Sequence, residues 1–390
     1  MTVQKTNFDV VIDRGQTDSV KWNMYGEGVL PLWVADMDFQ APQPVIDALK
    51  ARVEQGVYGY QGFAPALRQL LVERLKTRHN MDVQENQIVF TPGLVFALNV
   101  TVRMVGNEGD GVMLNTPIYP PFLSSIQNQG KTLVGVELKA TVDAENIMRY
   151  ELDFDALEAA ITPQTKLFMF CNPHNPIGRV YTREELEKLA AFIIKHDLIL
   201  VTDEIHCDLL AKGQTHISIA SLSSEIADRT ITLLAPSKTF NIPGLGLGFV
   251  VIQNEDLRKK FQKYSEQSGG FVNLFGYTGA LAAYRDSQPW LDDLLVYLED
   301  NRDLLVDYVS EHFPECTITK PEGTYLAWMD CRPLNLPDVP YQFFLKEAKV
   351  ACNDGITFGQ GGEGFIRINY GCSRSTLLEA LERMREALGR

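Results

Sequence analysis

Apolar and polar positions fall into two textures along the chain. Between about residues 65 and 285, short and nearly unbroken apolar runs recur at 87–90, 112–114, 166–170, 198–202, 231–234 and 247–252. Continuous hydrophobicity over so few residues is expected of strands covered on both faces. Helix-like stretches separate the runs. Thr182-Arg183-Glu184-Glu185-Leu186 opens one of them, with Thr182 as its cap and acidic residues in its first turn. This alternation predicts an α/β domain with a mostly parallel sheet covered by helices. After about residue 285 the spacing becomes helical over 290–310, then short strand patterns appear at 324–328 and 365–369, and a last helix is predicted over 375–388. The expected division is a large α/β domain over 46–284 and a smaller α+β domain made of 285–390 with residues 1–45.

Composition narrows the function classes. The chain has 390 residues, 45% hydrophobic and 22% charged, enough to bury a large core. Its formal charge of −14 argues against a nucleic-acid or anionic-membrane surface. The first residues lack an apolar signal core, and no run approaches the roughly 20 apolar residues of a membrane span. The six cysteines form no C-x-x-C pair, so neither a disulfide framework nor a zinc ribbon is indicated, and a reduced cytoplasm is the expected compartment.

Chemistry-bearing residues follow the apolar runs. Lys238 lies just after run 231–234, and Asp203 closes run 198–202. A lysine and a carboxylate at neighbouring strand ends are what pyridoxal phosphate chemistry uses: one forms a Schiff base, the other keeps the pyridine nitrogen protonated. Thr91-Pro92-Gly93-Leu94-Val95 opens a helix whose free N–H groups could hold a phosphate, or it is an ordinary strand-to-helix turn. Tyr119, stiffened by flanking prolines, could stack on a ring or simply pack. Asn172-Pro173-His174-Asn175-Pro176 fixes the direction of its amides. His206 could reach a cofactor from the segment of Asp203, or be a core histidine. A metal pair with adjacent Cys207 lacks further ligands at a suitable spacing, so no metal is expected. Arg367 is a charge inside an apolar strand, and needs either a substrate carboxylate or an internal ion pair. Gly359-Gln360-Gly361-Gly362-Glu363-Gly364 matches a dinucleotide fingerprint but runs into a predicted strand rather than a helix.

Taken in order, these motifs resemble the fold-type I pyridoxal phosphate enzymes of the class I/II aminotransferase family. Within it the chain is most similar to the bacterial C–S lyases that include cystathionine β-lyases of the MalY/PatB type. The branch resemblance rests on 33–39 (WVADMDF), 58–60 (YGY), 203–206 (DEIH), 237–244 (SKTFNIPG) and 369–375 (NYGCSRS). It implies that Lys238 anchors the cofactor, that Asp203 holds the ring nitrogen and Asn175 the ring oxygen, and that Tyr119 stacks on the ring. It implies a phosphate site at Leu94, Val95 and Ser237, completed by Tyr60 of a neighbouring subunit, hence a homodimer with shared active sites. It implies that Arg367 binds the substrate carboxylate, with Ala35 closing over it. His206 and Gly246 depart from the general aminotransferase pattern toward the lyase branch, and Ala235 replaces a frequent serine. The expected activity is β-elimination from a small sulfur amino acid such as cystathionine. The alternative is transamination by the same residues, and a regulatory binding role is a third, different class.

Overall fold

The apolar runs pair side by side in the computed structural model, which describes residues 5–390. The strands of its two larger sheets are, in chain order, β1 (Ile88–Thr91), β2 (Gly111–Thr116), β3 (Thr132–Glu137), β4 (Lys139–Val142), β5 (Ile147–Glu151), β6 (Thr165–Cys171), β7 (Ile199–Asp203), β8 (Thr230–Leu234), β9 (Gly248–Val251), β10 (Thr317–Thr319), β11 (Leu326–Asp330), β12 (Asn353–Asp354) and β13 (Phe365–Asn369). Seven form one sheet in the order β1-β9-β8-β7-β6-β2-β3. Its neighbours pair in parallel except around β9, which is antiparallel to both β1 and β8.

Met113, Leu114, Phe168, Met169, Leu200, Val201, Ile231 and Leu233 are fully buried, so successive side chains on these strands meet protein on both faces. One face packs under Leu98, Val102, Ile126 and Phe261, and the other under Leu157, Leu189 and Ile193. The helix Arg183–Lys195 begins as its sequence predicts. The Glu185 N–H donates to Thr182 Oγ1 at 3.3 Å, and the Thr182 N–H donates to Glu185 Oε2 at 2.7 Å. Because β1, β2, β6, β7 and β8 run the same way, their carboxyl ends share one edge, where loops are free to carry chemistry.

The second sheet has the order β12-β13-β11-β10-β5-β4. It packs with the 25-residue helix Gln288–His312 and with Arg374–Ala387 around Leu305, Val309, Leu326, Ile366, Ile368 and Leu381. These two helices lie within two residues of their expected bounds. The β4–β5 hairpin, which the apolar pattern does not mark, leaves the region of the first sheet and pairs β5 in parallel with β10. Only Met148 and Tyr150 of the hairpin strands are buried, and all of β4 is exposed. The start of the chain joins this part of the fold: Leu30–Pro31 pairs with Val350–Ala351, and Phe8 packs against Phe39 and Trp290. No helix of the described residues is long and apolar enough to cross a membrane. All six cysteines are buried and unpaired.

Candidate active site

β8 delivers Lys238. The strand is buried along its whole length, Ala235 continues it in extended conformation, and Pro236 then opens a one-turn helix, Pro236–Thr239. Proline suits a first helical position because its missing N–H has no partner there anyway. Lys238 Nζ donates to the Ala35 carbonyl at 2.5 Å, and the Tyr325 hydroxyl donates to the same oxygen at 2.8 Å. Burial lowers the lysine to about 8, Arg367 pushes the same way, and Asp36 and Asp203 oppose it. A sizeable neutral fraction therefore exists near neutral pH, and a neutral amine is a nucleophile and a base.

β7 ends on Asp203. Its carboxylate is only 5% exposed and accepts one backbone hydrogen bond, from the Ile205 N–H at 3.1 Å. Burial raises it to about 7. Three residues beyond, His206 is buried with Nδ1 unpartnered and its ring 5.7 Å from that of Tyr325. Burial holds this imidazole neutral, well below its usual range.

Arg367 sits midway along β13, opposite Trp328 on one side and Asn353 on the other. Nη1 donates to Asn175 Oδ1 at 2.9 Å; Nη2 donates to the Trp33 carbonyl at 2.9 Å and to Asn353 Oδ1 at 2.6 Å. The guanidinium also lies over Phe358, 5.0 Å from its centroid, and Nε has no partner. Among the described residues no carboxylate lies within ion-pair distance of Arg367, which removes the internal ion pair as its explanation. It is a buried cation held only by neutral oxygens. Burial accordingly depresses it to about 10.

Asn175 is set by the tight turn after β6. The His174 N–H donates to the Arg179 carbonyl at 2.8 Å, and the Gly178 N–H to the His174 carbonyl at 2.7 Å. Gly178 has φ +70° and a Cβ there would stand 2.6 Å from Pro321, so only glycine fits. Tyr119 is half-buried at the end of β2, where the charges of both Arg367 and Asp203 act on it. Lys238, Asp203, Asn175, Arg367, Ala35, Tyr119 and His206 thus converge.

Leu94 and Val95 begin the helix Leu94–Met104, whose cap residue Gly93 offers no side chain to its first N–H groups. Gly246 lies beside this turn at φ +60°, where a Cβ would come 3.4 Å from the Pro92 carbonyl, which favours glycine. Ser237 is half-buried next to Lys238. Tyr60 does not join the cluster: its side chain is 108% exposed and stands away from the protomer.

Four contributors were silent in the sequence: Tyr325, Asn353, Asn241 and the Trp33 carbonyl. Asn353 meets Arg367 only through the pairing of a two-residue strand, and a backbone carbonyl carries no residue-type signal. A separate group, His79, Cys207 and Asp208, brings three metal-ligating atoms within 4.8 Å. The Asp208 oxygen nearest His79 already accepts from Arg74 at 2.5 Å, and its other oxygen accepts from Thr239 at 3.3 Å. Those bonds fix the residue after Lys238 and pair the carboxylate with the Arg74 guanidinium.

A buried lysine at one parallel-strand end, with a carboxylate at the next and an unpaired arginine facing both, can be compared with known proteins. The family described as aminotransferase class I and II matches residues 27–384. The chain belongs to that family. Cystathionine beta-lyase PatB of Bacillus subtilis (strain 168) is 39% identical over 390 residues, covering 98% of this chain and all of PatB. Cystalysin from Treponema denticola, solved with a pyridoxal 5'-phosphate cofactor, is 36% identical with a TM-score of 0.93 and 98% of each chain covered. A PLP-bound C-S lyase from Staphylococcus hominis is 32% identical with a TM-score of 0.91, over all of this chain and 99% of that one. The family's fold, an α/β unit joined to a smaller second sheet, is the one described above.

Proposed function

We propose that this chain is a pyridoxal-phosphate-dependent carbon–sulfur β-lyase that releases a thiol, pyruvate and ammonia from a sulfur amino acid. The observation that carries it is the pair of buried, unmatched charges on either side of Lys238: Asp203 without a cation and Arg367 without an anion. The cofactor and the substrate supply the two missing partners. Asp203, raised to about 7 by burial and in no ion pair among the described residues, suits a protonated ring nitrogen. Arg367 suits a substrate carboxylate, which can displace the neutral oxygens it now touches and meet the guanidinium edge-on.

When bound, the cofactor supplies an aldehyde for an amine and a ring that takes up the electron pair released at the substrate Cα. The residues of this chain do the rest. Lys238 Nζ would hold the aldehyde and, once free of it, would be placed to take a proton from the substrate Cα. Asp203 holds the ring nitrogen in its protonated form. Asn175, whose Oδ1 faces Arg367, has its amide N–H groups for the ring oxygen. His206, neutral and with Nδ1 unpartnered, could reach the cofactor from the segment of Asp203, and Tyr119 would offer its ring face for stacking. Leu94 and Val95 N–H groups and Ser237 hold the phosphate, without an arginine at Gly246. Arg367 and the overlying Ala35 segment fix the carboxylate so that the Cα–H bond faces Lys238.

A homodimer completes this reading. Val57, Tyr58, Phe63 and Phe271 are exposed apolar side chains, Phe271 to 85%, and Tyr58 packs on Phe275 near the turn of Leu94 and Val95. Exposed aromatic side chains of this kind suit an interface between copies. Burying it against a second copy would carry Tyr60 to the partner's phosphate site. Six unpaired cysteines agree with a reducing, cytoplasmic setting. The proposed division of the chain remains a large unit over 46–284 and a smaller one from 285–390 with the N-terminal residues.

The family's name supports transamination as a second reading. Incubating the holoenzyme with cystathionine and no oxo acid separates the two. Continuous release of pyruvate and thiol supports the lyase; a reaction that stops after one equivalent per site supports the transaminase.

A further inference from the structure

The oxygen that receives the Lys238 ammonium belongs to residue 35, in a stretch with almost no secondary structure of its own. Residues 33–39 are instead held by side chains from elsewhere. Asn369 Nδ2 donates to the carbonyls of Val34 at 2.5 Å and Asp36 at 2.8 Å. Asn241 accepts from the Met37 N–H at 3.0 Å and donates to the Met37 and Phe39 carbonyls at 2.9 and 2.7 Å. These bonds fix the segment from below. From outside, it is held by four charges. Lys21 Nζ, with no exposed side-chain surface, donates to Asp38 Oδ2 at 2.8 Å and to the Asp36 carbonyl at 2.9 Å. Arg14 bridges Asp36, at 3.2 and 3.0 Å, and Asp38 Oδ1, at 2.8 Å. Trp22 Nε1 donates to the same Asp38 oxygen at 2.8 Å, and Trp33 Nε1 donates to the Lys21 carbonyl at 3.0 Å.

Two cations and two carboxylates thus balance, and each carboxylate is on the segment while each cation is on the N-terminal arm. We propose that this is an ionic clasp that positions the 33–39 segment over the reaction site, and that Lys21 is its central positioning residue. The inference rests on reading Lys238 and Arg367 as the anchors of cofactor and substrate. The segment touches both: the Ala35 carbonyl meets Lys238 and the Trp33 carbonyl meets Arg367. Without Lys21, Asp38 keeps a surplus charge in a buried place and the Asp36 carbonyl loses a donor. The strand of backbone between them is then free to shift, and a shift of about 1 Å in a positioning element can cost on the order of a hundredfold in rate.

The test uses the holoenzyme and two variants, Lys21→Met and Lys21→Met/Asp38→Asn. Borohydride fixation on the Lys238 peptide of wild type checks the underlying site assignment separately. If that fails, the site reading fails, whatever the clasp does. With it in place, Lys21→Met should lower kcat/KM by about tenfold or more, mostly through KM, since Arg367 and the segment share the carboxylate site. Cofactor content should stay unchanged while hydrogen exchange at residues 34–39 accelerates. The double variant removes the stranded charge and should recover thermal stability, yet keep the fast exchange and the high KM, because the donor to the Asp36 carbonyl is still missing. A purely structural role predicts that the KM defect disappears together with the stability defect. Wild-type KM and wild-type exchange in a folded Lys21→Met or double variant would overturn the proposal. Should neither fold, Arg14→Gln, at a partly exposed cation, gives the same readouts with the same refuting outcome.

Discussion

Asp203→Asn should act in opposite directions on the apoenzyme and the holoenzyme. In the apoenzyme the carboxyl is buried with one backbone donor and is raised from 3.8 to about 7. A folded-state value above the unfolded one means that the native protein holds a proton the unfolded chain gives up. Stability therefore falls as pH rises from about 4 to about 7, and is flat above. At about 1.4 kcal/mol per unit the ceiling of that loss is about 4 kcal/mol. The asparagine is neutral throughout, so the variant should escape it. Urea unfolding of the two apoproteins should coincide at and below about pH 4, while at pH 8 the variant should be more stable by about 2–4 kcal/mol. In the holoenzyme the sign reverses. The cationic ring partner of the carboxylate is lost, and turnover should fall by about a thousandfold or more, the scale of one well-placed electrostatic contact. An apoprotein variant that is less stable than wild type at pH 8, or a stability difference independent of pH, would show that Asp203 is satisfied within the protein and not waiting for a ligand.

Lys238→Ala should abolish both borohydride fixation of the cofactor and turnover, by ~10³-fold or more; in wild-type apoenzyme the rate of cofactor incorporation should rise through pH about 8, where the lysine loses its proton, and not near 10.5. Arg367→Gln should raise KM for amino-acid substrates by about a hundredfold while amines without a carboxylate are unaffected, because a guanidinium–carboxylate pair is worth several kcal/mol when desolvated; equal losses for both would mean that Arg367 only supports Asn175. Sedimentation should give the mass of two chains at micromolar concentration, and Phe271→Glu, at a side chain 85% exposed in the protomer, should shift it toward one chain; a monomer with full activity would refute the shared site.

The parts of this structure that were legible in the sequence are those where burial leaves a one-dimensional trace. A strand covered on both faces must be apolar throughout, so β6, β7 and β8 announce themselves, and the polar residues at or just beyond their ends, Asn172, Asp203 and Ser237, mark the sheet edge. Arg367 is legible by the same logic as an intruder in an apolar strand. The β4–β5 hairpin left no such trace, since its first strand is wholly exposed and only two residues of the second are buried. The ionic clasp was hidden for another reason. Arg14, Lys21, Asp36 and Asp38 are spread between residues 14 and 38, and nothing in their order reveals that opposite charges meet out of water. Tyr325 was placed in a strand by its neighbours, but its hydroxyl finds Ala35 290 residues away.

The β4–β5 hairpin also sets a schedule for synthesis. Its partner β10 leaves the ribosome roughly 170 residues later. At ~5–20 residues per second that interval is roughly 10–30 s, during which β5 lacks its parallel partner and Met148 and Tyr150 lack the cover of Trp328 and Phe365. The first sheet, complete by Val251, can assemble in that time around a hairpin that belongs elsewhere. A nascent chain or a truncation ending before Thr317 therefore carries an uncovered edge and an apolar face, the combination that holdase chaperones bind and that drives pairing between copies. The second sheet, for its part, cannot be recovered from one contiguous fragment of gene, because β4 and β5 are encoded upstream of β6, β7 and β8 of the first sheet.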